Sequence, residues 1–187
     1  MKIDLSKYDQ SWYSKERSNV VVLLWWFIQG TVFRFSIHNM YAWRAFLLRC
    51  FGAKIGKNVL IRSSAKFTYP WKVTIGDNSW IGDNVQFYSL DKIIIGNDCV
   101  VSQESYLCTG THDIKDEKFG LLTKPIVVKD GAWIASDVFV YPGITIYEMG
   151  VVAARSTVVK DVPYNEVHMG APAKFIKKRF EEGEQSD

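Results

Sequence analysis

From Ile55 onward the chain advances in six-residue steps, each opened by an aliphatic residue and continued by small or polar ones. Ile55-Gly56-Lys57-Asn58-Val59-Leu60, Ile75-Gly76-Asp77-Asn78-Ser79-Trp80, Ile81-Gly82-Asp83-Asn84-Val85-Gln86 and Ile95-Gly96-Asn97-Asp98-Cys99-Val100 show the pattern. Later steps open at Val101, Leu107, Val128, Ile134, Val140, Ile146, Val152 and Val158, and the pairs Val73-Thr74 and Ile93-Ile94 separate groups of three steps. Sandwich strands do not keep such a phase, so the pattern reads as an internal repeat. Each step is expected to be a short strand and a turn. The leading aliphatic residue points inward, and Gly, Asn and Asp supply turn conformations that larger side chains resist. The fifth position is mostly small (Ala65, Ser79, Cys99, Ser105, Thr111, Ala132, Gly150, Ser156), which suits a narrow prism interior. Three steps close one coil, and coils stack as parallel strands. The fold class is therefore all-β, a parallel β-helix built on a hexapeptide repeat. Trp71 and Asp91 stand where small residues are expected and predict distorted corners.

The repeat also places side chains on the outside. The sixth positions form three columns: Leu60, Trp80, Val100, Trp133 and Val151; Lys66, Gln86, Tyr106, Phe139 and Thr157; Lys72, Lys92, His112, Thr145 and Pro163. The first is entirely apolar, and an exterior apolar column calls for a partner, most simply another copy of the chain. In the third, His112 ends a coil, after which residues 113–125 leave the repeat and return at Ile126. A loop thrown out beside an exposed histidine can cover a site, and a neutral imidazole can accept a hydroxyl proton near neutral pH. His112 is the candidate base, set against a surface histidine with no role. Asp113 either orients the imidazole or starts the loop turn, with the turn favoured. Cys108, on an outward position near His112, is a candidate acyl-accepting nucleophile or a bystander thiol, and the bystander is favoured because direct attack by an acceptor needs no covalent intermediate. His38 and His168 form no ligand pattern with His112, so no metal site is expected.

The ends read differently. Asn19 to Phe51 predicts one or two helices. Val20-Val21-Val22-Leu23-Leu24-Trp25-Trp26-Phe27 is apolar on all sides, and Tyr41, Trp43, Phe46, Leu47, Leu48 and Phe51 interleave with Arg44 and Arg49. Such helices either cap the open end of the β-helix or meet a membrane interface, and both readings stand. The run Val20 to Ile28 falls short of the roughly 20 apolar residues a membrane-crossing helix needs, and no signal peptide is expected. The tail from Phe175, basic and then acidic, predicts a short C-terminal helix. The domain reading is a helical capping region over 1–54, the β-helix over 55–174 with its loop at 113–125, and a tail over 175–187.

Composition narrows the function classes. The 187 residues carry 23 basic and 20 acidic side chains, a balance of +3, too mild to argue for a nucleic-acid partner. Cys50, Cys99 and Cys108 follow neither a zinc spacing nor a disulfide framework, so reduced thiols and a cytoplasmic location are expected.

At these residues the chain resembles the hexapeptide-repeat acetyltransferases, and among them the colanic-acid-type exopolysaccharide O-acetyltransferases. The likeness runs over Tyr8-Asp9-Gln10-Ser11-Trp12-Tyr13, the Leu-Trp-Trp helix, Phe51-Gly52-Ala53-Lys54-Ile55-Gly56, Tyr69-Pro70-Trp71 and Tyr106-Leu107-Cys108-Thr109-Gly110-Thr111-His112-Asp113. It continues in Asp130-Gly131-Ala132-Trp133-Ile134, Tyr141-Pro142-Gly143-Ile144-Thr145 and Gly170-Ala171-Pro172-Ala173-Lys174. The resemblance implies a left-handed β-helix, a homotrimer and a site between two subunits. It implies transfer of acetyl from acetyl-CoA to a sugar hydroxyl, the acceptor being a sugar or lipid-linked saccharide. His112 matches the family's base, and Trp133 an aromatic residue that one subunit presents to its neighbour's site. Acetyl-CoA is expected along the last coils, at Ala135, Ser136, Ala153, Ala154, Lys160, Pro172 and Lys177. The acceptor side is expected near Tyr88, Ser89 and Asp91, where Tyr88-Ser89-Leu90-Asp91 departs from the usual Asn-Leu-Ala. Arg155 stands where Gly is usual, Ile146-Tyr147-Glu148-Met149 lacks its Gly, and Ala171 and Lys174 replace Asn and Arg. A non-polysaccharide acceptor such as an amino sugar or small alcohol, or a non-catalytic trimeric β-helix, are the alternatives. The expected location is cytoplasmic, with peripheral contact at the inner membrane face through the N-terminal helices.

Overall fold

In the computed structural model, which describes residues 3–181, each hexapeptide step is a short strand and a turn, and three steps close one coil. The strands stack into three parallel faces. The first face runs Lys54–Ile55, Val73–Ile75, Ile93–Ile95, Ile126–Val128, Thr145–Ile146. The second runs Leu60–Ile61, Trp80–Ile81, Val100–Val101, Trp133–Ile134, Val151–Val152, Glu166–Met169, and the third Lys66–Phe67, Gln86–Tyr88, Tyr106–Cys108, Phe139–Val140, Thr157–Val158. The leading aliphatics Ile61, Ile81, Val101, Ile134 and Val152 are buried in one continuous core, beside the small residues Ala65, Ser79, Cys99, Ser105, Ala132 and Ser156.

The turn chemistry divides between positions. The fourth residue of a step takes the left-handed conformation, as Asn58, Asn78, Asp98 and Gly143 do at φ between 53° and 83°. Met149 and Arg155, each at φ 58°, hold that conformation without Gly. The Gly at the second position serves close stacking instead. A Cβ on Gly76 would lie 2.5 Å from the Gly96 carbonyl carbon of the next coil. The third-position side chains tie coils together. Asp77 Oδ1 accepts the Lys57 N–H at 2.7 Å, Asn97 Oδ1 the Asp77 N–H at 2.8 Å, and Asp130 Oδ1 the Asn97 N–H at 2.8 Å.

Two of the three exterior columns stand as stacked neighbours: Leu60, Trp80, Val100, Trp133, Val151 on the second face and Lys66, Gln86, Tyr106, Phe139, Thr157 on the third. The third column is corrected. On the first face the stacked outward residues are Thr74, Ile94, Val127 and Thr145. The inserted pairs lengthen those strands, so the residue just before each inward aliphatic is the one that faces out. Lys72 is instead buried in a 3-10 turn over Pro70–Lys72, the distorted corner that Trp71 foretold. Thr111 and His112 also lie outside the coil. Thr109 is fully buried, and the chain turns out at Gly110 into an antiparallel hairpin, Gly110–His112 with Leu121–Thr123.

The N-terminal segment caps the first coil. Helix α1 (Asn19–Ile28), N-capped by the Ser18 hydroxyl, leads through a π-helical turn over Gln29–Phe33 to helix α2 (Tyr41–Cys50). An open coil end leaves strand N–H and C=O groups unpaired, which is costly in a buried setting. The cap answers them on all three faces. Trp25 Nε1 donates to the Phe67 carbonyl at 2.7 Å, and the Phe67 N–H donates to Gln29 Oε1 at 2.6 Å. Arg49 donates to the carbonyls of Ile55 and Gly56 at 3.0 and 2.7 Å. Arg44, fully buried, donates to the Ile61, Ile37 and His38 carbonyls and to Ser36 Oγ. Arg44 therefore belongs to the cap, and so do the buried Trp25 and Phe33. At the other end the expected helix is a strand: Lys174–Lys178 pairs antiparallel with Glu166–Met169 and covers the last coil's open edge. Residues 182–187 of the tail lie outside the described residues.

Candidate active site

His112 stands in the hairpin, across from Leu121. Its Nδ1 lies 2.8 Å from the carbonyl oxygen of Phe119, and the Phe119 ring stacks on the imidazole with centroids 4.3 Å apart. A carbonyl only accepts, so Nδ1 carries the proton and donates, leaving Nε2 with a free lone pair. Asp113 does not orient this ring: its carboxylate accepts the Lys115 N–H at 2.9 Å, a local turn contact.

The histidine lines a pocket of 410 Å³ with Tyr8, Tyr13, Tyr69 and Tyr88, to which Gln10 and Lys15 add polar groups and Leu90 and Leu121 apolar ones. The N-terminal stretch forms one wall and is strapped down at several points. The Asp4 N–H donates to the Glu117 carbonyl at 2.8 Å, Tyr13 Oη donates to the Leu90 carbonyl at 2.8 Å, and Trp71 Nε1 donates to the Lys15 carbonyl at 2.7 Å. The buried Lys72 ammonium donates to the Leu90 and Ser14 carbonyls at 2.7 and 3.2 Å. Burial pushes the phenols of Tyr13, Tyr69 and Tyr88 above their ordinary range, so they stand as neutral donors at physiological pH. Reading the repeat alone missed Tyr8, Gln10, Tyr13, Lys15 and Tyr69. For Tyr8, Gln10 and Tyr13 the signal was the aromatic density of residues 8–13, which has no core position to fill in the hexapeptide pattern; Lys15 and Tyr69 lie outside that stretch.

Of the expected acceptor residues, Tyr88 lines this pocket. Ser89 is fully buried and bonds both backbone groups of Tyr69, and Asp91 accepts the Lys92 N–H, so each serves the corner turn rather than the cavity. Cys108 is buried with its thiol donating to the Gly110 carbonyl at 3.1 Å, and burial pushes its pKa up. A protonated, enclosed thiol is a poor nucleophile. Among the described residues no group of three or more His, Cys, Asp or Glu could hold a metal ion.

Trp133 lies elsewhere on the same chain. It is 44% exposed on the second face and lines a groove of 530 Å³ with Leu60, Trp80, Val100, Arg62 and Gln103; its Nε1 donates to Ser102 Oγ at 3.0 Å. Ala135, Ser136, Ala153 and Ala154 run along the edge between the second and third faces, in the turns that also carry Asp137 and Arg155. The Ala135 and Ala153 N–H groups are engaged between coils, with the Val152 and His168 carbonyls at 2.9 Å, so they are not free amides. Pro172 sits beside it, since the Ala173 N–H donates to the Thr157 carbonyl at 2.8 Å. Lys177 is exposed on the final strand. Lys160 follows the third face and stands on the next edge, away from those four residues.

No protein-family model matches the chain. It is 54% identical over 162 residues to the putative colanic acid biosynthesis acetyltransferase WcaF of Escherichia coli (strain K12), a match covering 87% of this chain and 89% of that one. Among solved structures it resembles a maltose O-acetyltransferase from Clostridium difficile 630, with a TM-score of 0.79, 26% identity and coverage of 88% of this chain and 90% of that chain. A galactoside acetyltransferase in complex with coenzyme A aligns with a TM-score of 0.78 and 26% identity, covering 86% of this chain and 82% of that one.

Proposed function

As the chain belongs to the hexapeptide-repeat acetyltransferases of the colanic acid type, and is thereby an acetyl-CoA-dependent O-acetyltransferase, we propose that it acetylates a sugar hydroxyl in exopolysaccharide biosynthesis with His112 as the base. The observation that carries the role of His112 is its hydrogen bond to the Phe119 carbonyl, which leaves Nε2 free to accept a proton. A tyrosine-lined pocket suits a pyranose, whose C–H face packs on aromatic rings while its hydroxyls meet polar tips. His112 Nε2 removes the acceptor's proton as the hydroxyl oxygen bonds to the acetyl carbonyl. It returns that proton to the sulfur as the thioester C–S bond breaks, so the products are an ester and a free thiol. The small residues Ala135, Ser136, Ala153 and Ala154 are proposed to border the pantetheine arm, and the exposed Lys177 to meet the nucleotide phosphates, whereas Lys160 on the neighbouring edge takes no part.

The active unit in this reading is a homotrimer. His112 and Trp133 line different cavities of one chain, and Trp80 and Trp133 stand 55% and 44% exposed in an apolar ladder. Packing the ladder against a second copy would bring a neighbour's Trp133 toward the His112 side and cover both tryptophans. The enzyme would work in the cytoplasm, where acetyl-CoA is made, at the inner face of a membrane carrying lipid-linked acceptors. A thiol-release assay with acetyl-CoA against nucleotide sugars, lipid-linked sugars and oligosaccharides tests the proposal. Turnover with a saccharide, lost in His112→Ala, is the expected result; equal turnover in the variant would remove His112 from the role.

A further inference from the structure

The cap has an inner face that is fully used and an outer face that nothing covers. Trp25, Phe33, Arg44 and Leu48 are buried against the first coil. On the opposite side of α1, Val20, Leu23, Leu24 and Phe27 fall on one helical stripe and are exposed, with Trp26 beside them. Phe35, Ile37 and Trp43 border an exposed recess of the cap, and Phe46 stacks on Trp43; Phe35 is 82% and Phe27 65% exposed. A monomer seldom leaves so much apolar surface without a partner.

The charge around it indicates which partner. Between Glu16 and Asp77 the chain carries nine basic residues and no acidic one. Arg44 and Lys72 are buried and Arg62 is paired with Asp83 at 2.7 Å, which leaves Arg17, Arg34, Arg49, Lys54, Lys57 and Lys66 exposed. Arg17 and Arg49 line a second recess, of 390 Å³, together with the apolar Val21, Leu24 and Phe51. No helix of the described residues is long and apolar enough to cross a membrane.

We propose that this cap surface docks onto an anionic lipid bilayer, with Trp26, Phe27, Phe35, Trp43 and Phe46 entering the headgroup boundary and the arginines meeting lipid phosphates. Tryptophan favours that depth, and basic side chains are drawn to an anionic surface. A helix with a broad apolar face and basic neighbours lies in the interface plane rather than across it. This deepens the trimeric acetyltransferase reading and rests on it for one feature: a three-fold axis along the coils turns three caps the same way, so one bilayer engages all three.

The test is co-sedimentation of the full chain with vesicles of phosphatidylcholine alone and of phosphatidylcholine mixed with phosphatidylglycerol. Binding is expected to the mixed vesicles, weakening as salt rises, and Phe27→Ser with Phe35→Ser should lower it roughly ten-fold or more. Arg17→Gln with Arg34→Gln should remove the preference for anionic lipid. Light scattering and thiol release from acetyl-CoA with a soluble acceptor are run on the same proteins, so failure of docking and failure of the acetyl-transfer reading are told apart. Unchanged mass and turnover in the Phe variant, with vesicle binding lost, support docking. Absence of binding to both vesicle types, or equal binding to both, would overturn the proposal. So would a particle of two trimers that falls to one trimer in the Phe variant, since a second copy would then cover the patch.

Discussion

His112 and Phe119 hold each other at the loop end of one hairpin: Nδ1 meets the Phe119 carbonyl at 2.8 Å, and the rings lie within 10° of parallel. Phe119 thus sets the tautomer through its backbone and the ring plane through its side chain. Replacing the side chain alone separates the two effects. Phe119→Ala keeps the carbonyl and loses the stack, so kcat should fall about ten-fold while KM for acetyl-CoA stays put. His112→Ala should cost roughly 10²–10⁴-fold in kcat. Steady-state kinetics with one saccharide acceptor measures both, and an unchanged kcat in Phe119→Ala removes the positioning role.

Tyr8 comes within 6.0 Å of the His112 ring and belongs to the strap rather than to a coil. Tyr8→Ala should raise the acceptor KM several-fold, on the scale of a lost aromatic contact of about 1 kcal/mol, and leave the KM for acetyl-CoA unchanged. An equal effect on both substrates would mean that the strap supports the whole site rather than the acceptor pocket.

In the proposed trimer the apolar ladder of the second face is the contact between subunits. Trp80→Lys or Val100→Lys puts an unpaired charge where a neighbour should pack, a penalty of several kcal/mol per site if the position is buried. Analytical ultracentrifugation should show trimer for the natural chain and monomer for the variants. A monomeric natural chain would refute the assembly.

Two glycine substitutions in opposite directions test the coil geometry. Gly76→Ala forces a Cβ to within 2.5 Å of the Gly96 carbonyl carbon and should destabilise by about 1–3 kcal/mol. Arg155→Gly relieves a left-handed residue at φ 58° and should stabilise by about 1 kcal/mol, since its ion pair with Asp137 is exposed. Thermal unfolding reads both, and a neutral Gly76→Ala would contradict the stacking argument.

Burial pushes Cys99 to about 11 and raises Cys108 as well, whereas Cys50 is exposed. A raised pKa favours the neutral thiol in the folded chain. Its contribution to stability is present below the unfolded thiol's pKa and is lost as pH rises through the folded value. Native protein at mildly alkaline pH should therefore label only at Cys50, and denatured protein at all three cysteines. Cys108→Ser should keep acetyl transfer, and a dead Cys108→Ser would reopen the covalent route.

The six-residue phase determined the coil, its three-step closure, the inward aliphatics and the outward columns of the second and third faces. It could do so because each step is a local unit whose inward position repeats with the strand and turn. The phase failed where contacts between distant segments chose the outcome. Thr111 and His112 keep the step count, yet the chain has already left the coil at Gly110, because pairing with Leu121–Thr123 replaces stacking there. The tail reads as a helix by charge, yet the last coil's open edge recruits it as a strand. Apolar residues on every side of α1 could not say which would be buried, and the unpaired groups of Phe67 selected the face bearing Trp25. The resemblance pointed to His112 and Trp133 as candidates, but the wall formed by Tyr8, Gln10 and Tyr13 comes from a contact with a hairpin about a hundred residues away. Sequence determines what a repeat buries because that is a local matter of period; the tertiary structure decides how ends and excursions close, because unpaired backbone groups must find partners wherever the chain can reach.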